Sequence, residues 1–203
     1  IFDTKINLKN SKLLIDFLDY EKKENLDTLI LIKGNIKNNK KINFDLISLV
    51  ENDNKISFKK LNLHKDFRII SLDSFSLNYL NNKKIKNQLL LKKDNLNYTI
   101  VGESFDATEL INEIIDSNDE SSSLFNNLNS KIKIKINKTY IDEVYFINNL
   151  SGVLSFKNNK IDNLDLKSTF PNNKKISLLI TKNEQQEKIT RLSTDYPKPL
   201  IKR

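Results

Sequence analysis

The sequence predicts an all-β chain, an antiparallel meander sheet with one short helix. Three observations carry that prediction. Apolar and polar residues alternate with period two through most of the chain, the alternating runs are separated by short Asn-rich turns, and one segment has helical spacing. Successive side chains of a strand point to opposite faces, so such alternation marks strands with one oily and one wet side. Runs of about 7–11 residues joined by short connections amount to about a dozen strands. Parallel βαβ architecture is disfavoured, because almost no helical segment lies between the strands.

The clearest run sets Ile132, Ile134 and Ile136 against Lys131, Lys133 and Lys135. Leu154 and Phe156 alternate with Ser155 and Lys157, and Leu164 and Leu166 with Asn163, Asp165 and Lys167. Ile176, Leu178 and Ile180 alternate with Ser177 and Thr181. Upstream, Ile42, Phe44 and Leu46 are expected to share a face, as are Leu96, Tyr98 and Ile100. Ile56 and Phe58 begin a phase that shifts at Lys59-Lys60 onto Leu61 and Leu63, as a β-bulge would make it.

The punctuation between runs is Asn rather than Gly, which occurs only three times. Asn38-Asn39-Lys40, Asn52-Asp53-Asn54, Asn81-Asn82-Lys83, Asp94-Asn95, Asn158-Asn159-Lys160 and Asn172-Asn173-Lys174 all read as tight turns. Asn tolerates the left-handed backbone that hairpins need. Four Asn-Asn-Lys fragments precede Ile42, Ile85, Ile161 and Ile176, which reads either as a weak internal repeat or as compositional bias.

The helical segment is Asp106 to Ile115. Asp106 can cap it with Glu109 as reciprocal partner, and Leu110, Ile111, Ile114 and Ile115 form one stripe. Ser117 to Asn129 is a polar insert with a short helical turn expected at Leu124-Phe125. The chain therefore divides into an upstream sheet segment (1–104), the helix and insert (105–129) and a downstream sheet segment (130–203). Lys12 to Glu24 fits helix and strand equally, since Leu13, Leu14, Phe17 and Leu18 suit either.

Composition excludes much chemistry. Among 203 residues there is no Cys and a single His, which removes disulfides, thiolate metal sites, cysteine nucleophiles and two-His sites. Three glycines cannot build a phosphate loop. With 38% hydrophobic residues the chain is too apolar to be disordered, and no apolar run approaches the roughly 18 residues of a membrane helix. A chain that begins at Ile1 and lacks Met reads as a segment of a longer or processed protein, with any leader or anchor outside it. The net charge of +8 invites anionic partners, but the lysines are scattered on alternate strand positions and read as solvated surface.

No catalytic constellation stands out, so no enzyme, metal or cofactor is expected. His64 ends a strand-like run beside Lys65 and Asp66, without a Ser or Cys motif to serve. Asp106/Glu109 is explained by capping, and Asp142/Glu143 and Asp119/Glu120 by loops and strand starts. Asp116 to Glu120 lacks the Gly turn and closing Glu of a calcium loop. The sequons at Asn97, Asn137 and Asn149 are expected by chance in so Asn-rich a chain. Phe and Tyr lie mostly in the apolar phase of the strands, not on a basic face, so nucleic acid is not an expected partner.

What remains is the apolar face. A sheet with one wet face must cover the other, by folding into a sandwich, closing into a barrel or curling around something greasy. Each buried acyl methylene is worth about 0.8 kcal/mol, so a lipid tail can supply the missing half of a core. A barrel would need aromatic girdles and a lysine-lined lumen, and a solenoid would need strict short repeats; neither pattern is present.

One order of elements resembles a known family. Tyr98-Thr99-Ile100-Val101-Gly102-Glu103-Ser104-Phe105-Asp106, the helix from Ala107 to Ile115 and the polar insert resemble a recurring feature of the AsmA-like superfamily. The resemblance is closest to its YhdP-type members, with TamB more distant. Asn149-Leu150-Ser151-Gly152-Val153-Leu154, then Ile161-Asp162-Asn163-Leu164-Asp165-Leu166, then Leu192-Ser193-Thr194-Asp195 to Leu200 resemble the strands that follow there. The likeness covers about residues 85–203, while Tyr196-Pro197-Lys198-Pro199 departs from it. The resemblance implies a curved, taco-like β-groove within a periplasmic protein of a Gram-negative envelope, anchored to the inner membrane outside this segment. It implies no catalytic residue. It implies a conduit for phospholipid acyl chains between inner and outer membrane, with other envelope proteins as further partners. The groove lining it implies is Ile132, Ile134, Ile136, Leu154, Phe156, Leu164, Leu166, Ile176, Leu178 and Ile180. A structural or adhesive β-sandwich or solenoid segment of a surface protein is the alternative reading of the same residues.

Overall fold

The computed structural model describes residues 1–37, 41–109, 111 and 128–201. Thirteen strands form one sheet, and a two-stranded ribbon packs against it. The upstream strands are β1 (Phe2–Asn7), β4 (Thr28–Lys37), β5 (Lys41–Glu51), β6 (Asn54–His64), β7 (Ile69–Ser71), β8 (Ser74–Leu80), β9 (Lys86–Asp94) and β10 (Asn97–Asp106). The downstream strands are β11 (Ser130–Tyr140), β12 (Phe146–Lys157), β13 (Lys160–Thr169), β14 (Lys175–Lys182) and β15 (Lys188–Thr194). The ribbon pairs β2 (Leu13–Ile15) with β3 (Tyr20–Lys22), and a short helix, α1 (Lys198–Ile201), ends the described chain.

The sheet is a meander with one exception. Its order runs β1-β4-β5-β6-β8-β9-β10-β11-β12-β13-β14-β15, with β7 also paired to β6. Every neighbouring pair is antiparallel except β10 and β11, which run parallel. The reason lies in the intervening segment: a parallel pair needs a crossover long enough to carry the chain back, and residues 107–129 supply it. Segments 1–104 and 130–203 are thereby hydrogen-bonded into one sheet, which stays open with β1 and β15 as its outer strands.

Local chemistry explains the turns. Asn25, Asn52, Asn95, Asn149, Asn158, Asn159 and Asn173 all have positive φ. Asn158 and Asn159 together give the paired left-handed conformation of a tight hairpin. The described Asn-Asn-Lys fragments do not share one turn, because the second places its positive φ on Lys84 instead. The turn at 38–40 lies outside the described residues, as do most of the helix stripe, Asp116 to Glu120 and the turn at Leu124-Phe125.

Three sequence expectations need correction. Leu46 does not share a face with Ile42 and Phe44. The register shifts between Lys33 and Gly34 on β4, leaving Asp45 as the extra residue, so Leu46 pairs with Lys33 and Lys59 while Ile47 takes the apolar side. The shift expected at Lys59-Lys60 is there, with φ +49° at Lys60. Leu96 sits in the β9–β10 turn, exposed, rather than in the strand. Asp106 does cap the helix start, accepting from the Thr108 amide (3.0 Å) and hydroxyl (2.6 Å), but it is not closed by Glu109. Its own amide donates to Asn87 instead, and Glu109 pairs with Lys83.

The Lys12 to Glu24 segment is neither one helix nor one strand. It is a plug: β2, a 3-10 turn at Asp16–Leu18, then β3. Leu18 and Tyr20 pack against Leu49, Ile56, Leu77 and Tyr79, with Leu13 and Ile15 adding to the cluster. Polar contacts pin it. Tyr20 donates to Glu51, the Tyr79 hydroxyl donates to the Leu18 carbonyl (2.6 Å), and the Asn82 side chain donates to Asp19 (3.1 Å). Lys22 is fully buried, and its ammonium donates to the carbonyls of Leu8, Lys9 (2.9 Å) and Ser11 (2.6 Å). Three carbonyls use all three ammonium protons, which is what makes a buried lysine tolerable here.

Candidate functional site

Residues directly opposite one another in a ladder point to the same face, so register assigns faces without ambiguity. One row crosses all twelve strands of the meander. It begins at Thr4 on β1 and passes through Ile32, Ile47, Phe58 and Phe75. It continues through Leu91, Ile100 and Ile134. It ends through Gly152, Leu166, Leu178 and Leu192. At about 4.8 Å per strand the row is about 50 Å long. Within it the Phe58 and Phe75 rings stack with centroids 4.4 Å apart.

Two flanking rows share this face. On the plugged side, Ile6, Ile30, Leu49, Ile56, Leu77 and Leu89 lead to Gly102, Ile136 and Leu150. On the other side, Tyr98, Ile132, Leu154, Leu164 and Ile180 stand in line. The opposite face is different in kind. Lys5, Leu31, Ser48, Ser57, Ser76 and Leu90 run on through Val101, Lys135, Ser151, Lys167, Ser177 and Ser193.

The ten residues named above as groove lining all fall on the apolar face. Ile134, Leu166 and Leu178 belong to the central row, and Ile132, Leu154, Leu164 and Ile180 to the next. Ile136 lies toward the plugged side, and Ile176 packs with Leu150 beside the cluster of Ile141, Ile147 and Phe170. Phe156 follows Leu154 on the same face of β12, and the extra residue Asp162 on β13 brings Ile161 opposite it. Ile136 and Leu164 are buried and the other eight are half-buried.

Cover is uneven. In the upstream half, Leu18 and Tyr20 of the plug bury Leu49, Ile56 and Leu77, and Phe58, Phe75 and Leu89 pack against this cluster. In the downstream half, Ile111, Tyr145 and Tyr196 pack around Phe170 at the strand ends, where Phe170 and Tyr196 meet edge to face at 5.4 Å. Neither cluster includes Ile132, Ile134, Leu154, Leu166, Leu178 or Ile180. Among the described residues, β2 and β3 form the only sheet besides the large one. The central row runs off the β15 side at Leu192, which is 53% exposed.

The upstream part of the row escaped selection from sequence. Leu29-Ile30-Leu31-Ile32 is a continuous apolar run, so it hides its own alternation. The shift at Asp45 then breaks the phase of β5. Two of the polar groups singled out earlier make local contacts at strand ends and turns. His64 ends β6 with Nδ1 2.9 Å from Asp66, and Asp142 accepts from the amides of Val144 and Tyr145 in a turn. Among the described residues, no three His, Cys, Asp or Glu side chains come together, and no helix is long and apolar enough to cross a membrane.

No family model matches this chain, and neither a curated protein nor a solved structure does.

Proposed function

We propose that this chain is a non-enzymatic segment of an apolar β-groove that holds phospholipid acyl chains, part of a conduit between the inner and outer membranes. The observation that carries this reading is the central row of an open sheet, apolar from Ile32 to Leu192 except at Gly152 and half-buried from Ile32 to Leu178. Acyl chains in one leaflet of a bilayer core extend about 15 Å, so a row of this length holds several. The resemblance to the AsmA-like superfamily agrees with the reading and adds a periplasmic setting with an inner-membrane anchor outside this segment. Other envelope proteins at the two outer strands belong to the same proposal.

A second reading, a structural segment of a cell-surface protein, is favoured by the plug. There Leu49, Ile56 and Leu77 sit in an ordinary protein core.

Native mass spectrometry of the purified chain separates the two. The groove reading expects co-purifying phospholipid, and it expects Ile134→Asp to lower that lipid at least tenfold while far-ultraviolet circular dichroism stays unchanged. A lipid-free wild-type chain, or undiminished lipid in the variant, overturns it.

A further inference from the structure

Among the described residues, four hairpin tips lie on the rim of the sheet opposite the plug: β6–β7, β9–β10, β12–β13 and β14–β15. The first two carry exposed apolar side chains. Phe67 forms the first at 70% exposure and Leu96 the second at 80%. The last two tips, Asn158-Asn159 and Asn183 to Glu187, are wholly polar. The β6–β7 and β9–β10 hairpins are two strands apart in the sheet, so Phe67 and Leu96 stand about 10 Å from one another.

Phe67 is the strongest of them. It has φ +64°, a left-handed conformation that is costly for a bulky side chain. Elsewhere most such positions hold Asn, and Phe67 is the only large apolar residue with positive φ among the described residues. Burial does not compensate the strain, since the ring faces water. The turn beneath it is rigid. The Phe67 amide donates to the His64 carbonyl and the His64 amide to the Arg68 carbonyl, both at 2.9 Å. The Arg68 side chain binds Asp66 at 2.6 and 2.8 Å, and the guanidinium holds that carboxyl well below the usual carboxylate range. Lys65 and Lys41 are exposed beside these tips.

The geometry points to a membrane-docking rim: Phe67 and Leu96 insert into the interface of an anionic bilayer, with Lys65 and Lys41 meeting its headgroups. A protein partner would fit less well. Protein interfaces bury a contiguous apolar centre, whereas these tips are separate and set in polar turns. A fluid interface wraps each tip individually and rewards both apolar insertion and adjacent positive charge. The inference is independent of the groove proposal, because the tips and the central row are different residues.

Flotation with phosphatidylglycerol/phosphatidylethanolamine vesicles tests it, with neutral phosphatidylcholine vesicles alongside. The wild-type chain should float with the anionic vesicles. Phe67→Asn combined with Leu96→Asn should cut the bound fraction at least tenfold with a melting temperature unchanged or raised. Phe67→Trp should show blue-shifted emission on the vesicles and quenching by brominated acyl chains. Ile134→Asp should still float, which keeps failure of the rim distinct from failure of the groove. The inference is overturned if the wild-type chain stays unbound, if the double variant floats like wild type, or if Ile134→Asp abolishes flotation. It is equally overturned if the tips instead drive concentration-dependent self-association that the double variant loses.

Discussion

Gly152 stands directly opposite Ile134 across the β11–β12 ladder, and opposite Leu166 on its other side. The central apolar row thus loses its side chain at one position only, between two large aliphatic residues. The cause is backbone proximity. A Cβ at Gly152 would lie 1.9 Å from the Asp165 carbonyl oxygen, and its φ of +156° suits glycine.

Gly152→Val should therefore destabilise the fold by about 2 kcal/mol or more, since the obstacle is backbone rather than a side chain that can move. Denaturant unfolding measures it. Val153→Ala, one residue away on the opposite face, should cost less than half as much. Equal losses would show that the contact with Asp165 is not what requires glycine.

Lys22→Met should loosen the plug without unfolding the sheet. It deprives the carbonyls of Leu8, Lys9 and Ser11 of a charged donor, and such bonds contribute about 1.5–3 kcal/mol each after exchange with water is counted. Amide exchange over residues 8–22 should accelerate while β11–β14 keeps its protection. Unchanged exchange in the plug would mean that Lys22 does not latch it.

Tyr20, Tyr79 and Tyr98 should resist ionisation while the chain is folded. Tyr20, Tyr79 and Tyr98 are pushed up by burial, reinforced at Tyr20 by the Glu51 carboxylate and at Tyr79 by Asp106 and Asp19. A raised folded-state value means that their stabilisation is complete below the unfolded value of about 10 and is lost as pH rises through the higher folded values. Phenolate absorbance should show these three of the six tyrosines ionising only with alkaline unfolding. Ionisation of these three near pH 10, with the sheet intact, would contradict the burial.

Much of this architecture was legible in the sequence because period-two alternation and Asn turns are local signals. Ile132, Ile134 and Ile136 fall where their alternation puts them, and the Asn158-Asn159 hairpin where its residues favour it. Long-range features were not legible. The parallel β10–β11 pairing depends on where the chain returns, which no local pattern specifies. The plug was ambiguous because Leu13, Leu14 and Leu18 fit two periods, and its outcome is decided by Tyr20 and Leu18 meeting Glu51 and Tyr79 far along the chain. Leu46 and Leu96 misled because a one-residue shift or a turn boundary reverses a face. Phe67 was overlooked since a single aromatic in a polar turn has no periodicity to announce it.

The most direct test of the groove uses two neighbours on β14. Leu178 belongs to the central apolar row and Leu179 to the polar face, where it pairs with Asp165 and Arg191. A photo-crosslinking amino acid placed at each position in turn, in cells making the chain within its parent protein, reads which face meets lipid. The account predicts acyl-chain adducts from position 178 and at least tenfold fewer from 179. Equal labelling at the two positions, or adducts to protein alone from 178, would contradict it.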